Sequence, residues 1–285
     1  MNENKTNINW YPGHMAKTRR EVQEKLSLID VVYEVIDSRM PISSKIVDMD
    51  TIVRTKPRIL IMTKYDICDK GQTDIIADFY KKSGYIVVPV DLISGKGINQ
   101  ILVETNKIKD KMNLDRKEKG LKERDVRVLV IGAPNVGKST LINKLVGRKA
   151  TITGDKPGVT KNLSWVRVGK GIELLDSPGI LWPKLDNQEN AHILASFSSI
   201  KEEILDSESL CVFIIEKLIK LYPDLLKNRY KLDSVDMDTY SIIEKIGTTR
   251  GAIIKGGEVD FEKVYKLVIN DLKEGLIGNI TFDRI

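Results

Sequence analysis

The run Gly132-Ala133-Pro134-Asn135-Val136-Gly137-Lys138-Ser139 places two glycines, a lysine and a hydroxyl at the spacing of a phosphate-binding loop. The chemistry of such a loop is electrostatic. Backbone N–H groups of Asn135, Val136, Gly137, Lys138, Ser139 and Thr140 would surround phosphate oxygens at a helix N-terminus. Glycine at 132 and 137 permits backbone turns that a side chain would block. Lys138 would reach the outer phosphates and support the charge that develops there during phosphoryl transfer, and Ser139 would ligate Mg2+. Downstream, Asp176-Ser177-Pro178-Gly179 supplies a carboxylate able to hold Mg2+ and a glycine whose N–H can approach a terminal phosphate. Between them, Thr160 in Pro157-Gly158-Val159-Thr160 offers a hydroxyl to the same metal when a terminal phosphate is present. Ile180 follows Gly179 and cannot orient an attacking water, so unaided hydrolysis is expected to be slow.

Upstream lies a second set. Thr63-Lys64-Tyr65-Asp66 follows an apolar run and fits a guanine-reading motif. Asp66 would accept two hydrogen bonds, from the ring N–H and the exocyclic amine of guanine; adenine lacks that donor pair. The stem of Lys64 would pack on the base. Thr63 stands where asparagine is commoner, so a weaker brace on the loop is expected there. A further base-facing loop should follow the next apolar run, which ends at Val90. Asp91-Leu92 is preferred for it, through backbone N–H groups, with Ser94-Gly95-Lys96-Gly97 one turn later as the alternative. The ligand implied is GTP or GDP. A P-loop ATPase or small-molecule kinase is the rival, and Asp66 argues against it.

These residues need rigid strand ends. Strand-like runs occur at 31–36, 58–62 and 85–90, and three more strands are read at 126–131, about 163–168 and 172–175. Helical patterns separate them at 73–83 and 97–112. The expected fold is α/β: a mostly parallel six-stranded sheet with helices on both faces. Residues 1–27 form a polar, basic N-terminal segment, helical over 16–26; 28–185 form the nucleotide domain, with 113–125 as a charged, solvated connector. After 185 strand signals thin out, and 190–285 reads as a separate all-α domain. With 41% hydrophobic and 30% charged residues the chain can bury a core, and no apolar stretch approaches a membrane span. No signal core or transit-like segment is evident at the N-terminus, so a cytoplasmic location is expected. A net charge of +6 favours polyanionic partners without defining one. Cys68 and Cys211 fit no metal or redox spacing and are expected to be buried small hydrophobes.

The order is rotated: the base-reading motifs precede the phosphate loop. This resembles the circularly permuted GTPases. Trp10-Tyr11-Pro12-Gly13-His14-Met15, Asp37-Ser38-Arg39-Met40-Pro41 and Asp176 to Pro183 are similar to signatures of the bacterial ribosome-biogenesis GTPase A (YlqF/RbgA) subfamily, and the resemblance covers the chain from about Ile8 to its end. It implies hydrolysis of GTP to GDP and phosphate in assembly of the large ribosomal subunit, with binding to precursor particles and rRNA and stimulation by the ribosome. It points to His14 as a residue that enters the catalytic site, and to K+ beside Asn135. It likens the C-terminal domain to an RNA-binding helical module. Basic residues at Lys17, Arg19 and Arg20, and at Lys217, Lys220, Lys227, Arg229 and Lys231 beside Tyr222 and Tyr230, would supply sequence-independent phosphate contacts. The free chain is expected to be monomeric. In the rotated order the 176–190 segment leads into the helical domain, so a terminal phosphate is expected to reposition that domain. An RNA-binding scaffold with a regulatory, scarcely hydrolysing site is the alternative.

Overall fold

The computed structural model describes residues 20–46, 53, 56–147, 164–169, 171–177, 188–200 and 205–285. Six apolar runs become strands: β1 (Val31–Asp37), β2 (Arg58–Thr63), β3 (Ile86–Pro89), β4 (Val126–Gly132), β5 (Ser164–Val168) and β6 (Ile172–Asp176). They form one sheet in the order β3-β2-β1-β4-β6-β5. All neighbours run parallel except β5, which lies antiparallel on β6 at the edge. The mostly parallel α/β sheet expected from the sequence is therefore present. β1 is buried along its whole length, because it is central and covered on both faces.

Alternate residues of the strands serve opposite faces. Val31, Tyr33, Val35, Ile59 and Val128 join a core with Ile101 of α2 (Ile98–Glu118) and with Leu141, Ile142 and Leu145 of α3 (Lys138–Val146). On the reverse face Val32, Leu129 and Ile131 pack with Val22 and Ile29, while Ile36, Leu60 and Met62 pack with Ile76, Ala77 and Tyr80 of α1 (Lys70–Lys82).

The charged stretch expected as a linker is partly helix. α2 continues to Glu118, six residues past the end of the apolar pattern. Asn113 to Glu118 are mostly good helix formers, and a charged face suits an exposed helix end. The helix stops where Gly120 takes φ +69. The return to β4 is pinned: Asn113 bonds both N–H and C=O of Arg124, and Arg124 makes a bidentate pair with Asp30 at 2.7 and 2.8 Å.

Residues 20–25 are helical and pass into a 3-10 turn at Leu26–Leu28; on the C-terminal side lie α4 (Gln188–Ser196), α5 (Ser207–Leu221), α6 (Pro223–Tyr230), α7 (Thr239–Thr249) and α8 (Phe261–Lys273). Asp206, Asp238 and Asp260 cap α5, α7 and α8 by accepting from the backbone N–H three residues on. Their apolar faces bury Leu210, Ile214, Ile246 and Val268 in one core that is continuous with the α2/α3 side of the sheet. Among the described residues no helix is long and apolar enough to cross a membrane. Both cysteines are free and buried.

Candidate nucleotide site at the strand ends

Because β1, β2, β4 and β6 are parallel, Asp37, Thr63, Gly132 and Asp176 close their strands along one edge. This is the edge where open α/β sheets take ligands. The phosphate loop leaves β4 there and enters α3. A Cβ at Gly132 would meet Val35 O at 2.3 Å, so only glycine allows the loop to turn this close to β1. Gly137 caps α3 with φ +97. Lys138 lies along the loop, its Nζ donating to Ala133 O at 2.7 Å and Gly132 O at 3.1 Å.

Lys138 and Asp176 are both buried, 7% and 1% exposed. Burial lowers the Lys138 pKa to about 8 against the opposing charge of Asp176. Burial raises Asp176 to about 6, against the Lys138 charge and, more weakly, the Ser177 N–H. Neither Asp176 oxygen reaches hydrogen-bond geometry with a described partner. A buried carboxylate of this kind is costly until a cation or donor reaches it. The chemistry of the donor set therefore fits Mg2+: a buried Asp176 carboxylate at the end of β6 and a Ser139 hydroxyl in the first turn of α3.

The upstream loops close onto the phosphate loop. Thr63 Oγ1 lies 2.5 Å from Val136 O and 3.0 Å from Ile36 O; its single proton serves one of the two at a time. Threonine, shorter than asparagine, contacts the loop directly because β2 ends against it. Lys64 takes φ +56 and sends Nζ to Asn135 O at 2.9 Å. Asp66 sits in the following turn, half-buried. Leu92 is buried, with its Cδ1 3.2 Å from where a Gly137 Cβ would lie, and Lys144 of α3 donates to Ile93 O.

The Asp91 side chain is engaged within its own loop. Its Oδ1 accepts from the Ile93 and Ser94 N–H groups, its Oδ2 from the Ser94 hydroxyl, and its own N–H goes to Lys96 O. The Ser94 hydroxyl holds its pKa below the ordinary value. Asp91 thus folds the 91–96 turn, and the alternative run Ser94 to Gly97 is part of the same turn.

His14, Thr160, Gly179 and Ile180 lie outside the described residues, as do Lys17 and Arg19. Three of the five C-terminal basic residues are spoken for. Lys217 pairs with Glu189, Lys227 with Asp224, and Arg229 bidentately with Asp271 at 2.7 and 2.9 Å. Tyr230 is buried, and Tyr222 Oη lies 2.9 Å from both Asp69 Oδ2 and Thr281 O. Lys220 and Lys231 are exposed.

Several residues at this edge carry no local signal of their importance. Ser199 Oγ donates to Pro134 O at 2.8 Å and Asn135 Nδ2 to Ser198 O at 2.7 Å, joining the phosphate loop to the turn after α4. Asp37 and Arg39 appear in the sequence only as part of a signature, yet both are buried here.

Fold and site together define a P-loop GTPase domain in circularly permuted order, followed by a helical region. A family described as 50S ribosome-binding GTPase matches residues 127–254, beginning in β4 and leaving β1 to β3 outside the match. The ribosome biogenesis GTPase A of Priestia megaterium is 42% identical over 277 residues, spanning 97% of this chain and 96% of its own. The protein of that name from Thermotoga maritima is 30% identical over 97% and 94% of the two chains. A GDP-bound YlqF structure superposes with a TM-score of 0.68 at 25% identity, covering 93% of this chain and 99% of that one. The GNP-bound YlqF structure from T. maritima gives 0.65 at 25% identity, covering 94% and 98%. The chain belongs to the ribosome biogenesis GTPase A family.

Proposed function

We infer that the protein binds GTP and hydrolyses it to GDP and phosphate as an assembly factor for the large ribosomal subunit. The observation that carries the nucleotide half is the clasp between Thr63 or Lys64 and the backbone of Asn135 and Val136, which sets a guanine-reading loop beside a phosphate loop. The ribosomal half follows from the family.

In this reading Asp66 accepts from guanine, the Lys64 stem packs on the base, and the turn shaped by Asp91 presents Leu92 beside it. The N–H groups of residues 135–140 hold the phosphates. Lys138 places a cation at the outer phosphates, where charge builds as water attacks the terminal phosphorus and the bond to the β-phosphate oxygen breaks. Ser139, Asp176 and Thr160 would hold Mg2+, which neutralises phosphate charge when bound. The Gly179 N–H would contact the terminal phosphate. Ile180 leaves water orientation to another group, and His14, entering on the ribosome, is chemically suited to it. Asn135 would help hold K+. Contacts to rRNA in precursor particles would come from residues 14–20 and from Lys220 and Lys231, and the site of action would be the cytoplasm.

The experiment compares GTP turnover by the full chain alone and with large-subunit precursor particles, with ATP as competitor. Particle-stimulated hydrolysis that excess ATP leaves unaffected is expected. Turnover that particles do not change, with nucleotide-dependent particle binding retained, would make the protein a nucleotide-regulated RNA-binding scaffold, the reading Ile180 favours.

A further inference from the structure

Asp37 ends β1 and is fully buried. Three cationic or N–H contacts from Arg39 converge on it: Nη2 at 2.9 Å, Nε at 3.1 Å and the backbone N–H at 3.0 Å. Lys64 Nζ reaches the same carboxylate at 2.9 Å while also donating to Asn135 O of the phosphate loop. Burial alone would push the Asp37 pKa up, but the charges of Arg39 and Lys64 outweigh it and hold the group ionised.

The other side of Arg39 faces the C-terminal region. Its Nη1 donates to Lys273 O at the end of α8 at 2.9 Å, and its guanidinium lies 4.3 Å from the Phe197 ring centroid. Its backbone C=O accepts from Phe282 N–H at 2.8 Å. Next door, the Asp283 carboxylate accepts from the Ile42 and Ser43 N–H groups and from the Ser43 hydroxyl. One planar guanidinium thus spends one edge on the nucleotide side and the other on the C-terminal segment. A lysine has a single point of charge and cannot span both.

We propose that Asp37 and Arg39 are positioning residues for the guanine nucleotide, holding Lys64 on the phosphate loop, and that seating of residues 273–283 on Arg39 sets how tightly nucleotide is held. This rests on the reading of Lys64 as a nucleotide-site residue. Lys64 has a flexible stem, and its ammonium stays on Asn135 O because the Asp37 carboxylate stands beside that oxygen. Without Arg39, the buried carboxylate keeps Lys64 as its sole cation and draws it off the loop, or takes up a proton and releases it. Either way the clasp between the two halves of the site slackens.

The test measures binding of a fluorescent N-methylanthraniloyl GDP to the full chain, with Arg39→Gln, Arg39→Lys, Ser43→Ala and Lys64→Ala alone and in combination. Arg39→Gln is expected to weaken binding about tenfold, as for loss of one buried charge-assisted contact, and Arg39→Lys to restore little of it. Ser43→Ala, which removes the hydroxyl from Asp283 and Asn190 and leaves Arg39 in place, should weaken binding by about threefold and covers the case in which the Arg39 variants fail to fold. In the Lys64→Ala background none of these should weaken it further. An equal loss with and without Lys64, or unchanged affinity in Arg39→Gln and Ser43→Ala, overturns the proposal and leaves the site assignment standing. Unchanged affinity in Lys64→Ala overturns the assignment of Lys64 itself, and the proposal with it.

Discussion

Asp176 and Asp37 are both buried aspartates at strand ends, and their surroundings drive them in opposite directions. Asp176 has no partner in hydrogen-bond geometry among the described residues and is raised to about 6 by burial; in the proposed site it meets a cation. Asp176→Asn should therefore uncouple nucleotide from metal. In the parent, chelating Mg2+ is expected to weaken GTP binding by about tenfold or more, whereas the variant should bind weakly with or without chelator. A variant that still responds to Mg2+ like the parent would remove Asp176 from the metal site. Asp37 is burdened by burial but held well below the ordinary range by Arg39 and Lys64. A carboxyl whose folded value lies below its unfolded value of about 3.9 stabilises the fold fully above that pH, and the contribution fades as pH falls toward the folded value. Stability should then drop between about pH 4 and pH 2, and Asp37→Asn should flatten that acid limb while lowering stability at neutral pH. Urea midpoints across this range check it; identical acid slopes in parent and variant would count against it.

Among the elements, the 91–97 turn shows how local chemistry fixes a distant surface. Asp91 gathers three donors from Ile93 and Ser94, and this holds Leu92 against Gly137. Asp91→Ala should free the turn, raise hydrogen exchange at 92–96 and weaken GDP binding by about threefold to tenfold. Fast exchange without any change in affinity would separate the turn from the site. The elements were legible in the sequence to different degrees. Central strands betray themselves as mostly apolar runs, and β5 at the edge as a short stretch rich in β-formers with Trp165 and Arg167 exposed, so all six are legible with ends shifted by one residue at most. The last turns of α2 escaped because Asn113 to Glu118 bury little, and an exposed helical end looks like a linker when only apolar spacing is weighed. The phosphate loop and Thr63-Lys64-Tyr65-Asp66 were readable because their chemistry is contiguous. The partners of Arg39 and Ser43 were not: Lys273 and Asp283 lie 234 and 240 positions away, and nothing local marks either as a contact.

For the molecule as a whole, the C-terminal helices share one continuous core with the sheet and, among the described residues, touch the nucleotide edge repeatedly. Tyr222 and Thr281 bond Asp69 just past the Thr63–Asp66 loop, the Ser198–Ser199 turn lies on Pro134 and Asn135, and Lys273 and Asp283 meet the Arg39 and Ser43 cluster. Asn190, at the end of the 176–190 segment, joins the last of these through Ser43 at 3.4 Å. If bound phosphate moves the phosphate loop, these contacts would carry that movement to the helical region alongside the switch expected from the sequence.

The β1–β4 ladder, where Val31 pairs with Val128 and Val35 with Gly132, is the seam between the two halves. In the proposed reading, the base-facing residues Lys64, Asp66 and Leu92 lie between β1 and β4 in sequence, and the phosphate loop begins where β4 ends. The covalent link across that seam is the exposed stretch around Gly120 and Leu121. Severing the chain there would yield two pieces, 1–120 and 121–285, each holding half of one ligand's contacts. GDP is expected to bind only the reunited pair and to act as an adhesive between them, tightening their association as its concentration rises. Co-elution of the pieces that is indifferent to GDP would contradict this. If they do reunite, the rotated gene order has made a natural split sensor for guanine nucleotide.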